Sequence, residues 1–147
     1  MRSSECDVVI KLEESEARDL YPLLSEFHRI QGHPLRAVRH IYDEGCLDEI
    51  ALESDRDCLI VKAEPDYDTM TFHVVHKEDF KSAGSIDVSH SETWRRFIGE
   101  SFGWGWVAIN QQGYLDGILL SFGGITPNVL LIVMASTIKE TIIQEVS

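Results

Sequence analysis

Met70, Phe72 and Val74 alternate with Thr71 and His73. Successive side chains of a strand point to opposite faces, so this alternation predicts a half-buried strand. Similar runs, "LRAVRHIY", "LDEIALES" and "CLIVKAE", precede it and are separated by Asp43-Glu44-Gly45, Asp55-Arg56-Asp57 and Pro65-Asp66. Turn residues between such runs predict an antiparallel meander over residues 35–75. Upstream the period changes. Leu20, Leu23, Leu24, Phe27 and Ile30 recur at helical spacing. They predict a helix over residues 19–31, with Pro22 in its first turn and Gly32 and Pro34 as stops. "DVVIKL" at residues 7–12 reads as a short first strand. Downstream, Ser89 and Glu92 have capping-box spacing before Trp94, Phe97 and Ile98, which predicts a second helix over residues 90–99. Residues 104–146 return to strands. They open with a hairpin, continue with "VLLIVMA", apolar on both faces, and end in a β-branched tail read as strand with a kink near Ser136. The expected fold is α+β, a single domain over residues 1–147. It has an antiparallel sheet of about six or seven strands with two short helices covering one face.

The hairpin is "GWGWVAINQQGYLDG", residues 103–117. Asn110-Gln111-Gln112-Gly113 has the chemistry of a type I turn closed by a left-handed glycine. One-to-one pairing from that turn sets Asn110 opposite Tyr114, Ala108 opposite Asp116, Trp106 opposite Ile118 and Trp104 opposite Leu120. All eight then share one face. Gly105 and Gly117 fall on the other face and invite close approach by a helix. An aromatic plane beside an amide and a carboxylate can receive a planar or cationic group, so Trp106, Asn110, Tyr114 and Asp116 form a candidate ligand-binding set. The plainer reading makes both tryptophans core and Asp116 a turn cap. A slip of one residue in register exchanges the faces.

Charge changes the picture. The formal net charge is −12 over 147 residues. Between Asp43 and Asp68 there are ten acidic and two basic residues, whereas residues 103–147 hold three acidic and one basic. Direct nucleic-acid binding is disfavoured, since a phosphate backbone needs a cationic footprint. An acidic face favours basic partners. Asp43, Glu44, Asp48, Glu49, Glu53, Asp66 and Asp68, on turns or outward strand positions, are the candidate partner-binding residues. The uncharged stretch between Asp116 and Lys139 is long enough for a bilayer, but Gly123-Gly124 and Pro127-Asn128 break it into two buried strands, so no membrane association is expected. Cys6, Cys46 and Cys58 form no CxxC pair, and no signal-peptide pattern opens the chain. A reducing cytoplasm fits.

Catalytic patterns are missing. No HExxH, GxSxG, P-loop or dinucleotide glycine pattern occurs, and His73 and His76 diverge along a strand. No metal, cofactor or catalytic residue is expected. The segment "GWxW…NQQGYxDG", following a meander with Asp-x-Asp-Thr at residues 66–69, resembles a group of small uncharacterised bacterial proteins of unknown function. The resemblance covers residues 35–146, without the N-terminal helix. It implies a fold relationship and no activity.

Three functions are therefore expected in order. The first is a non-enzymatic acidic interaction module, of immunity or adaptor type, docking a basic protein. The second is a small-molecule-binding domain or enzyme using the Trp106/Asn110/Tyr114/Asp116 face. The third is a structural homo-oligomer such as a homodimer.

Overall fold

Met70, Phe72 and Val74 are buried and the intervening Thr71 and His73 exposed, as the alternation predicts. The computed structural model describes residues 20–64, 66 and 68–143. The strand expected over residues 7–12, residue 19 at the helix start and residues 144–146 of the tail lie outside the described residues. The meander forms as β1 (Ala37–Asp43), β2 (Cys46–Glu53), β3 (Asp57–Glu64) and β4 (Thr69–His76). A short β5 (Ile86–Asp87) joins the far side of β1, giving a five-stranded sheet of order β4-β3-β2-β1-β5. The 3₁₀ turn Lys77–Asp79 starts the connection that carries the chain from one edge strand to the other.

The remaining strands do not extend that sheet. β6 (Phe102–Ile109), β7 (Leu115–Phe122), β8 (Val129–Met134) and β9 (Thr137–Ile142) form a second antiparallel sheet in chain order. The single sheet of six or seven strands is thus replaced by two, of five and four strands. The physical reason is cover. Each sheet has one apolar face, and each buries it against the other. From the first sheet come Val38, Ile50, Leu59, Val61 and Phe72, and from the second Ile118, Leu120, Val129 and Leu131.

Where two helices were expected, the α-helical residues all fall in the first segment, which ends in the short helix α1 (Glu26–Ile30), among the described residues. Residues 20–24 are also helical, and Ser25 interrupts the two pieces with its hydroxyl donating to the Pro22 carbonyl at 2.7 Å. Gly32, at φ +83°, ends the helix. The helix expected over residues 90–99 is instead a series of separate turns. Ser89 does not cap it. Its hydroxyl donates to Asp87 and accepts the Val38 amide at 2.9 Å, tying β5 to β1. α1 lies against β3, β4 and β6. Phe27 stacks on Phe72 with ring centroids 4.7 Å apart. Aromatic contacts continue from Phe27 through Phe102 and Phe122 to Phe97 and Trp94.

No helix among the described residues is long and apolar enough to cross a membrane. The uncharged stretch after Asp116 forms β7 and β8. The tail is a strand over residues 137–142, and the expected kink is a tight turn with Ala135 at φ +52° and Ser136 at φ +64°.

Candidate functional site

The hairpin turn forms as its chemistry dictates. The Gly113 amide donates to the Asn110 carbonyl at 2.9 Å, Gly113 has φ +88°, and the Asn110 amide donates to the Tyr114 carbonyl at 3.0 Å. Asn110 Oδ1 also accepts the Gln112 amide at 2.9 Å. Pairing then runs Ile109 to Leu115, as expected, and slips by one at Asp116, so that Ala108 faces Gly117 and Trp106 faces Leu119. A second irregularity between Phe102 and Gly105 restores the original register. Such bulges insert an unpaired residue and re-aim the neighbouring side chains.

The consequences for the expected face are specific. Gly105 and Val107 pair with the buried Leu120 and Ile118, and so look into the sandwich. Trp106 and Gly117 look out. A Cβ on Gly105 would sit 2.5 Å from the Phe27 ring, so this glycine admits α1, as expected. Gly117 does not share that face. Asn110 and Asp116 do come together, Nδ2 donating to Oδ2 at 3.2 Å. Tyr114 is exposed nearby, and Trp106 is half-buried two residues down the outer face beside Leu119. The four candidate ligand residues therefore mark a shallow strip rather than an enclosed site.

The more concave region surrounds Trp104. The bulge turns this tryptophan out to 47% exposure. Ser121, fully buried, accepts the Trp104 amide at 2.6 Å and donates to the Gly124 carbonyl at 2.8 Å. A depression of about 200 Å³ lies between Trp104 and Leu24, Phe27, His28 and Gln31 of the helical segment. An open groove of about 460 Å³ lies on its other flank, where Gly32, Gly99, Gly103, Gly123 and Gly124 expose backbone beside Glu100 and Ile125. The depressions thus lie at the Trp104 end of the hairpin, away from the Asn110 turn that carries the candidate ligand residues. The "GWG" triplet was the available signal, because Gly103 tolerates no side chain: a Cβ there would overlap the Gly124 carbonyl oxygen.

The acidic candidates divide. The turns after β1 and after β3 fall at the same end of the antiparallel sheet. Asp43, Glu44 and Asp66 are exposed there, and Asp48 sits in the bulge of β2. Burial pushes the Asp48 carboxyl up from its ordinary value. Lys62 opposes that rise, and Asp43 and Glu64 add to it. Glu49 lies 3.9 Å from Lys62. Asp68 accepts the Ser136 amide at 2.7 Å, joining this end to the β8–β9 turn. Glu53 alternates outward as expected but is buried, held by Arg39 at 2.8 Å. It offers no free carboxylate.

Sequence reading passed over one polar cluster. Glu140 enters the core from β9 and accepts Trp94 Nε1 at 2.6 Å and pairs with His40 Nε2 at 2.8 Å. Tyr42 Oη lies 3.4 Å from His40 Nδ1. His40 and Glu140 are 100 positions apart, so no local spacing could reveal them. The pair is mostly enclosed, and it ties the two sheets to the turn segment that carries Trp94. No group of three metal-ligating side chains occurs among the described residues. Cys58 is fully buried; burial, reinforced by Glu53, pushes its thiol up to about 12, which keeps it protonated and a poor nucleophile.

A model of a family of unknown function, DUF6334, matches residues 19–147. The chain belongs to that family. The match includes the helical segment, which the resemblance over residues 35–146 left out. No curated protein matches the chain, and no solved structure does. Family membership supplies a shared fold and no chemistry.

Proposed function

We propose that this protein is a non-enzymatic interaction module whose acidic end receives the basic surface of a partner protein. The observation that carries the reading is the convergence of Asp43, Glu44, Asp48, Glu49 and Asp66 at one end of the five-stranded sheet, with Lys62 as the neighbouring cation. Asp48 is pushed up chiefly by burial, against the opposing pull of Lys62, and repulsion by Asp43 and Glu64 adds to the rise. A cationic partner relieves that repulsion and is steered by the same field. Glu53 and Asp68, already engaged within the fold, act as supports rather than contacts. An immunity or adaptor role in a bacterial cytoplasm fits a surface of this kind. The test is capture of host proteins on the immobilised chain at about 50 and about 150 mM salt, a range over which exposed charges become screened. The expected result is a basic partner whose capture falls with salt and is lost in the Asp43→Asn/Glu44→Gln/Asp66→Asn variant. Equal capture by that variant refutes the reading.

A second reading has its own observation, the outward-turned Trp104 between two depressions. The groove is shallow and open to solvent, so a ligand would lie on the Trp104 face rather than be enclosed. An aromatic face with a single carboxylate, Glu100, suits a planar cationic ligand. Fluorescence titration with such compounds, using Trp104→Phe as the control, decides it. A quench that survives in the variant counts against the groove.

A further inference from the structure

The outer face of the four-stranded sheet is a surface that the two readings leave unused. Its rows follow from the register. One runs Trp106, Leu119, Leu130, Thr141, and the next Ala108, Gly117, Ile132, Lys139. Met134, 56% exposed, extends the face beyond them. None of these side chains belongs to the buried core. The contacts of α1 and of the first sheet reach this sheet on its other face, where Gly105, Ile118, Leu120 and Leu131 look inward.

We infer that this face binds a second copy of the chain, sheet against sheet, about a two-fold axis parallel to β8. Charge selects the occupant. Each copy carries a formal −12, so two copies repel except where carboxylates are sparse. This face carries one cation, Lys139 on β9, and one anion at its margin, Asp116 on β7 beside Gly117. Lys139 and Gly117 lie in the same row, one strand to either side of β8. A two-fold rotation about an axis along β8 exchanges β7 with β9 and leaves the row unchanged. Lys139 of each copy therefore comes over the Asp116 side of the other, and the pair forms twice. Such self-complementarity is what an isologous contact requires. In the neighbouring row Leu130 meets its own counterpart and Thr141 lies over Leu119.

The area sets the strength. About that axis three strands overlap, β7 to β9, and β6 overhangs; they present roughly 350 Å² of sheet face. Two such faces, about 700 Å² together, have the size of a weak, transient contact, so the dimer is reversible in the range of about 100 μM. The experiment is sedimentation equilibrium of the full chain from about 10 μM to about 1 mM, a span that brackets such a constant. The wild type should pass from monomer to dimer. Asp116→Lys and Lys139→Glu should each weaken association by tenfold or more, and the double variant should recover it. Thr141→Lys alters an exposed position and should weaken association without touching either charge. Circular dichroism confirms that each variant is folded. A wild type that stays monomeric overturns the inference, as does a dimer that ignores all these changes. Failure of the double charge reversal to restore the dimer overturns the proposed two-fold pairing. The acidic-end reading stands or falls separately, because none of these positions lies in its docking set.

Discussion

The two sheets use glycine and charge in opposite ways. In the five-stranded sheet the turns are acidic, and Gly45 serves only its φ of +82°, with nothing within 4 Å of a built Cβ. In the four-stranded sheet charge is sparse and glycine makes room: Gly103 for the Gly124 carbonyl, Gly105 for Phe27. The first sheet tolerates its sequence locally, whereas the second depends on contacts between distant segments. Substitution should therefore cost most where glycine supplies space. Gly103→Ala should lose about 2–4 kcal/mol, because backbone and the buried Ser121 must both shift. Gly45→Ala should lose about 1–2 kcal/mol, the cost of a left-handed non-glycine residue. Urea denaturation of both variants compares the two directly. Equal losses would erase the distinction.

The link between the sheets gives the next effect. Glu140→Ala leaves His40 and the Trp94 indole without their shared acceptor in an enclosed place. A loss of about 1–3 kcal/mol is expected, as for other buried groups stripped of a partner. Glu140→Gln, which keeps an acceptor oxygen, should lose less. The same urea titrations read both variants, and an unchanged midpoint in Glu140→Ala would show that the tie contributes nothing.

Much of the first sheet was legible because β4 alternates cleanly and each turn declares itself in Asp, Glu, Gly or Pro. Helix α1 was legible from Phe27 and Ile30 at helical spacing. The strands of the second sheet were legible too, but neither their separation from the first sheet nor their register was, since nothing in "WGWVAI" announces a bulge. The turn at Asn110 sets the expected register for Ile109 and Leu115, and the bulge at Asp116 then displaces the pairings from Ala108 to Gly105 until Phe102 regains it. That slip sets Trp106 opposite Leu119 on the outer face rather than opposite Ile118. Ser89 and Glu92 met the local rule for a cap, but the Ser89 hydroxyl bonds Asp87 and the Val38 amide, and only tertiary packing decides that. The acidic end was half legible. Asp43, Glu44 and Asp66 fall together there, but Glu53 lies at the opposite end of β2, where Arg39 holds it, and no sequence spacing indicates that pair.

A gain should come from the β8–β9 turn, where Ala135 and Ser136 both occupy the left-handed region. Two-residue turns of this hand favour Asn-Gly. Ala135→Asn with Ser136→Gly should stabilise by about 1 kcal/mol, raising the thermal midpoint by a few degrees. No comparable gain exists at the first sheet's β1–β2 turn, where glycine already follows Glu44. A lowered midpoint would mean that the Asp68 contact to Ser136 depends on the present residues.

The smallest effect separates two carboxylates of the first sheet by pH. Asp48 is pushed up, chiefly by burial. A raised folded value disfavours the charged form, so its contribution to stability is present at low pH and lost as pH rises through the folded value. Asp87 is pulled down by hydrogen bonds from the Ser89 hydroxyl and amide. Its contribution is present above the unfolded value and lost as pH falls through the depressed folded one. The two windows lie on opposite sides of the ordinary aspartate range, and the signs are opposite. Asp48→Asn should therefore raise stability at pH 7 and change little near pH 3, by under about 0.5 kcal/mol as at other surface positions. Asp87→Asn should lower stability at pH 7 and lose that effect well below pH 3, where the wild-type group is protonated too. Urea midpoints for both variants across pH 2–7 supply the check. If Asp48→Asn destabilises at neutral pH, its carboxylate is held by a favourable partner rather than crowded by Asp43 and Glu64. The acidic end would then lose the strain that a basic partner relieves.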